Sequence, residues 1–153
     1  RLLFTEVARM ECNRQAEEAL QVIGDGAPLK CVLREAANRI VQIFLSDFGQ
    51  QMFRICVAES HRFPELGRRF YESGPQQLRS RMSEVLGPYV ARGELKIEDM
   101  DLAADQFGEL CKSTLFVRSL CGIGGPVSEA DIDRVVTGAV DMFLARYGAN
   151  TGG

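Results

Sequence analysis

The run 53–75, FRICVAESHRFPELGRRFYESGP, constrains this chain more than any other stretch. At its start Met52, Phe53, Ile55, Cys56, Val57 and Ala58 are nearly consecutive, so a helix here has almost no polar face. A helix that is apolar all round must be covered on all sides. The helix stops at Glu59-Ser60-His61-Arg62, and Phe63-Pro64 restarts the chain. Pro64 suits the first turn of a helix, where its missing N–H costs nothing. The second helix carries Leu66, Phe70 and Tyr71 and ends at Gly74-Pro75. The run therefore reads as a buried helix, a tight break and a short covering helix over 64–73.

The remaining apolar residues recur at helical spacing. A first helix is expected over 2–23, with Phe4, Ala8, Cys12, Ala16, Leu20 and Ile23 on one stripe, ended by Gly24-Asp25-Gly26. Pro28 opens a second helix to about residue 45. Ser46 or Asp47 caps the helix 48–60. A further helix spans about 75–92, with Leu78, Met82, Val85, Leu86, Tyr89 and Val90 inward. Gly87-Pro88 falls inside it, which predicts a kink near residues 84–88. Asp99 caps a long helix to about residue 121. The glycine run Gly122-Ile123-Gly124-Gly125-Pro126 reads as a linker, because it lacks the spacing and the Gly-Lys-Ser/Thr of a phosphate loop. Ser128 with Asp131 forms a near capping box for the last helix, which Gly148 ends. The expected fold is all-α: an antiparallel bundle of about six long helices plus one short helix, dimerising through the last two long ones. Residues 1–148 form one domain, and the tail 149–153 is expected to be disordered.

The net charge of −3 argues against this piece holding a nucleic-acid backbone by itself. The arginines at 62, 68, 69, 79 and 81 read as a solvated face with acidic partners. No apolar run has the length of a membrane span, and no signal peptide opens the chain, so no membrane partner is expected. Five cysteines at wide spacing, without a Cys-x-x-Cys pair, read as reduced cytoplasmic thiols. With His61 as the single histidine, neither a metal site nor a cofactor nor a catalytic site is expected. The chain opens on Arg1-Leu2-Leu3-Phe4, already in helical periodicity and uncapped, which reads as a fragment of a longer protein.

Two regions carry candidate functional residues. On the helix 99–121 one stripe is charged in its first half, at Asp105, Glu109 and Lys112, and apolar in its second, at Phe116 and Leu120. The last helix carries a broad stripe through Ile132, Val136, Ala139, Val140 and Phe143. Packing inside the monomer would use these residues, and so would a homodimer; the amount of apolar surface favours the dimer. The second region is a pocket around Phe53, Cys56 and Val57, with Met82, Leu86 and Tyr89, with Gln106, Leu110 and Thr114, and with Met10 at its edge. Plain core would use the same residue types. The predicted kink favours a gap, and the few inward charges favour a small hydrophobic effector oriented by Gln106, Tyr89 or Thr114.

The segments VAESHRFPELGRRFYESGP, ARGELKIEDMDLAADQFGELCKSTLFVRSLCG and SEADIDRVVTGAVDMFLARYG resemble the C-terminal domain of TetR-type transcriptional regulators, in the AefR-like branch. Together they cover more than half of the chain. The resemblance implies an effector-binding and dimerisation domain of a one-component repressor. It implies an effector site among these helices and pairing of the last two long helices into a four-helix bundle. It also implies that DNA is contacted only through an N-terminal helix-turn-helix domain that these residues do not include. A kink at Gly87-Pro88 departs from that pattern. The competing reading is a helical dimeric interaction module without a small ligand, and an enclosed cavity distinguishes the two.

Overall fold

The computed structural model describes residues 27–149, together with Val7, Met10 and Arg14, each helical and exposed. The helix expected over 2–23 and the tail 150–153 otherwise lie outside the described residues. Six helices follow in order: α1 (Leu29–Leu45), α2 (Asp47–Glu59), α3 (Pro64–Ser73), α4 (Pro75–Ala91), α5 (Met100–Leu120) and α6 (Glu129–Tyr147). No β-strand occurs among the described residues.

Local chemistry sets the helix ends. The Ser46 hydroxyl accepts from the Gly49 N–H at 3.0 Å, Asp99 Oδ1 from Leu102 N–H at 3.0 Å, and the Ser128 hydroxyl from Asp131 N–H at 3.1 Å. Each satisfies one of the donors a helix leaves open at its start. Pro64 and Pro75 occupy the first turns of α3 and α4. After α4 the chain turns at Gly93, whose φ of 80° is the left-handed conformation glycine adopts without steric cost. Leu95 then forms an isolated bridge to Gly148, with Lys96 N–H donating to the Tyr147 carbonyl at 2.8 Å. That bridge ties the end of α6 to the α4–α5 connector.

The main core lies where α1, α5 and α6 pack on one another, with α4 packed on α5. Leu33, Leu86, Phe107, Val136 and Phe143 are its fully buried centre. The stripe of α6 faces inward onto this core: Val136, Ala139, Val140 and Phe143 are buried in their own chain, and Ile132 packs against them half-buried. These residues, expected at a dimer contact, are therefore core residues. A helical stripe marks the face that is covered but says nothing about which neighbour covers it.

Two further expectations are corrected. The helix α2 is not covered on all sides: it buries Gln50, Met52 and Cys56, while Ile55, Val57 and Ala58 are exposed. It packs on α1 and α3 and has few other neighbours. The helix α4 runs through Gly87-Pro88 without a break in helical conformation and ends at Ala91. Proline so close to the C-terminus forfeits one bond near an end that is already opening. The break lies instead in α5, at Ser113, with φ 40° and ψ −133°. The Ser113 hydroxyl donates back to the Leu110 carbonyl at 2.7 Å, holding the turn before the break.

Candidate functional site

The helices α2 and α3 form a small apolar cluster of their own, with Met52, Cys56 and Leu66 buried and Phe48, Phe63 and Phe70 beside them. This cluster does not merge with the main core. Between the two lies a cavity of about 210 Å³. Its walls come from five helices. Ile40 and Phe44 stand on α1, Phe48, Met52 and Phe53 on α2, and Phe70 on α3. Leu78, Met82 and Val85 stand on α4, and Gly108 and Phe116 on α5. Phe116 makes an edge contact with Phe53 at 5.0 Å between ring centres and a tilted contact with Phe44 at 5.7 Å. These distances fall in the favourable range for aromatic pairs, so three helices hold one another through rings at one end of the cavity.

Polar bonds fix the α2 side of the site. Gln50 Nε2 donates to the Ser119 hydroxyl at 2.6 Å, and Arg54 donates to the Leu120 carbonyl at 2.5 Å. Both tie α2 to the end of α5. Charged side chains stand at the cavity margin. Arg79 donates to both oxygens of Asp105, at 2.9 and 2.8 Å, and to the Tyr71 hydroxyl at 2.9 Å. The hydrogen bond to Asp105, with Tyr71 second, raises the Arg79 guanidinium still further above its ordinary range. Lys112 Nζ lies 3.1 Å from Glu109 Oε1 and over the rings of Phe44 and Phe116, at 5.1 and 5.3 Å from their centres.

The structure distributes the sequence-predicted site residues over separate places. Phe53 and Met82 line the cavity. Cys56 is buried in the α2–α3 cluster, and Leu86 and Tyr89 are buried in the main core. Tyr89 hydroxyl donates to the Ala27 carbonyl, so it holds the entry to α1. Val57 and Met10 are exposed. Gln106, Leu110 and Thr114 lie on the outer side of α5. There the Tyr147 hydroxyl donates to Gln106 Oε1, and Gln106 and Leu110 border an open surface depression of about 510 Å³ with Met142. Leu120 is half-buried beside the α2 contact, and Phe116 belongs to the cavity wall.

Asp105, Glu109, Lys112 and Phe116 of the charged-to-apolar stripe line the cavity, and Leu120 does not. The change of character expected at a second protein surface falls within the cavity wall, between half-buried Lys112 and buried Phe116. Phe44, Phe48 and Phe70 were missed as wall residues. Phe44 and Phe48 flank the break at Ser46, and Phe70 stands one turn before the break at Gly74.

The outer face of α5 and α6 carries isolated large apolar residues with nothing packed over them. Leu102 is 49% exposed, Val117 58% and Met142 62%. Gly138, one turn before Met142 on α6, is exposed and has open space where a side chain would stand. Of the cysteines among the described residues, Cys31 and Cys121 are exposed and Cys56 and Cys111 are buried, and none is in a disulfide. Burial pushes the Cys111 thiol up to about 12.

The described residues thus form an all-helical bundle with an aromatic-walled cavity between its two apolar clusters. The family model that matches residues 31–149 is that of the AefR-like transcriptional repressor, C-terminal domain, and the chain belongs to this branch of the TetR-type transcriptional regulators. Proteins of this family regulate transcription and are not enzymes; they act as dimers that bind small effectors and DNA. The flavonoid-responsive regulator FrrA is 29% identical, with 97% of this chain and 74% of FrrA covered at a TM-score of 0.84. A putative TetR-family transcriptional regulator from Mesorhizobium loti MAFF303099 shares the fold at 21% identity and a TM-score of 0.84, over 95% of this chain and 74% of that one. No curated protein matches the chain. No helix among the described residues is long and apolar enough to cross a membrane.

Proposed function

We propose that these residues form the effector-sensing and dimerisation domain of a transcriptional repressor, and that the effector enters the cavity between the α2–α3 cluster and the main core. The observation that carries this reading is the cavity itself, walled by rings and methionines from five helices. Its volume lies just under the roughly 300–1,000 Å³ of drug-sized ligand sites, which favours a compact ligand. FrrA is named for its response to flavonoids, and a planar aromatic ligand of that kind would stack well on Phe44, Phe53 or Phe116. In the full-length protein an effector would shift the population of dimer arrangements, and with it DNA affinity, only by as much as it prefers one arrangement.

The test is a thermal-shift titration with flavone. Flavone raises the apparent stability if it binds only the folded state. Val85→Trp, which fills the cavity from α4, should leave the fold intact and remove the shift. An undiminished shift in Val85→Trp would place the ligand elsewhere.

The homodimer is proposed to use the outer face of α5 and α6, through Leu102, Leu110, Val117 and Met142, with Gly138 allowing close helix approach. A specific interface there should bury at least about 1,000 Å² in total. Sedimentation at micromolar concentration decides the matter, and a monomer would reject it.

A further inference from the structure

We propose that the cavity selects an aromatic ligand bearing an anionic group, such as a carboxylate or an ionised phenol, and that Lys112 is the residue that selects it. This rests on the reading of the cavity as the effector site.

Three cations stand along the cavity. Arg79 is held bidentately by Asp105 and also donates to Tyr71. Arg81 and Lys112 have partners of one kind, exposed glutamates three residues away on the same helix, Glu84 at 3.5 Å and Glu109 at 3.1 Å. Lys112 differs in its surroundings. Its side chain is 26% exposed, whereas its partner Glu109 is 71% exposed on the same helix three residues back. A helix-surface pair at that spacing contributes little, and Glu109 can turn into water at little cost. The ammonium itself is held over the faces of Phe44 and Phe116, which are cavity walls. A cation over ring faces keeps some stabilisation when its partner leaves. It also gains more from an anion there than in bulk water, because the surrounding medium is less polar.

The geometry therefore pairs two recognition elements a few ångströms apart: ring faces and a cation with an easily displaced partner. An aromatic anion satisfies both at once, stacking its ring and offering its oxygens to Nζ in a charge-assisted bond. A neutral aromatic uses only the walls. A cationic one would have to displace Arg79 from Asp105 or compete with Lys112 for Glu109.

Titration calorimetry with 2-naphthoate, 2-naphthamide and 2-naphthylmethylammonium separates these cases, because the three share one ring system. We expect 2-naphthoate to bind at least about tenfold more tightly than 2-naphthamide, a difference of about 1.4 kcal/mol. Lys112→Met should erase that preference while 2-naphthamide binding persists. Glu109→Gln alters only an exposed group, leaves the fold undisturbed, and should strengthen 2-naphthoate binding by removing its competitor. Equal or tighter binding of the amide, tightest binding of the cation, a preference that survives Lys112→Met, or no gain in Glu109→Gln would each overturn the proposal while leaving the cavity as a ligand site. No binding of any of the three would overturn the cavity reading together with it.

Discussion

The α1–α5–α6 core and the α2–α3 layer use the same kinds of residue and pack them differently. In the core, Phe107 and Phe143 meet at 5.2 Å and Phe143 and Tyr147 at 4.9 Å, with alanines and valines closing the space between helices. In the layer, Phe48, Phe63 and Phe70 stay only partly buried around three buried residues. The core helices are long and nearly cover one another. The layer helices are short, broken at 60–63 and again at Gly74, and touch the core mainly through α1 and α4. Short broken helices cannot follow a long one closely, so a gap opens at their junction. One chain thus builds a closely packed scaffold and, beside it, a layer whose junction with it leaves a cavity.

The comparison is tested most severely by truncating one residue on each side. Phe143→Ala should cost about 3–5 kcal/mol, because it opens a cavity in a packed centre. Met52→Ala, beside an existing cavity, should cost about 2 kcal/mol, at the low end for such changes. Urea denaturation of the two variants gives both numbers. Equal losses would mean that the two regions are packed alike.

A second test uses adjacent residues of α6, one exposed and one buried. Met142→Glu should leave the helical signal intact and raise the dimer dissociation constant at least about tenfold, or about 1.4 kcal/mol. Phe143→Ala loses fold stability instead. Sedimentation and circular dichroism on both variants distinguish the roles. A Met142→Glu protein that stays as tightly dimeric as its parent would move the interface off this face.

Much of the fold is legible because helix ends are decided locally. Pro64, Pro75, Ser46, Asp99 and Ser128 act on atoms within four residues, and the helices begin where these residues place them. The site is less legible because it depends on partners distant in sequence. Spacing shows that Val136, Val140 and Phe143 share a face, but only the packing of α6 on α1 makes that face interior. The same limit sends Gln106, Leu110 and Thr114 to the outer side of α5 and Lys112 to the cavity. The break at Ser113 leaves no mark at all in Leu110-Cys111-Lys112-Ser113-Thr114, which reads as unbroken helix.

Ser113 breaks α5 beside the cavity: Lys112, one residue before it, lines the cavity, Leu110 packs half-buried against the main core, and Val117 is exposed. A non-glycine residue held at φ 40° costs on the order of 1–3 kcal/mol. Ser113→Gly removes that cost and also the hydroxyl bond to Leu110, so the net gain should be about 1 kcal/mol. Thermal unfolding measures it. A loss of stability would show that the hydroxyl bond outweighs the strain.

The smallest expected effect is at Gly108, where α5 passes the cavity. A methyl group built there would meet Leu78 Cδ2 at 3.5 Å, an ordinary contact, and Gly108 sits inside a helix without a conformation that demands glycine. Gly108→Ala should therefore stabilise the protein by about 0.5–1 kcal/mol, through helix propensity and one added apolar contact. The same methyl group enters the cavity margin next to Glu109, so aromatic probes should bind slightly less well. Stability that rises while probe affinity falls is the result expected where a scaffold helix borders an open space. If stability falls instead, α5 at Gly108 is already packed as tightly as the core around Phe143, and the cavity does not reach that helix.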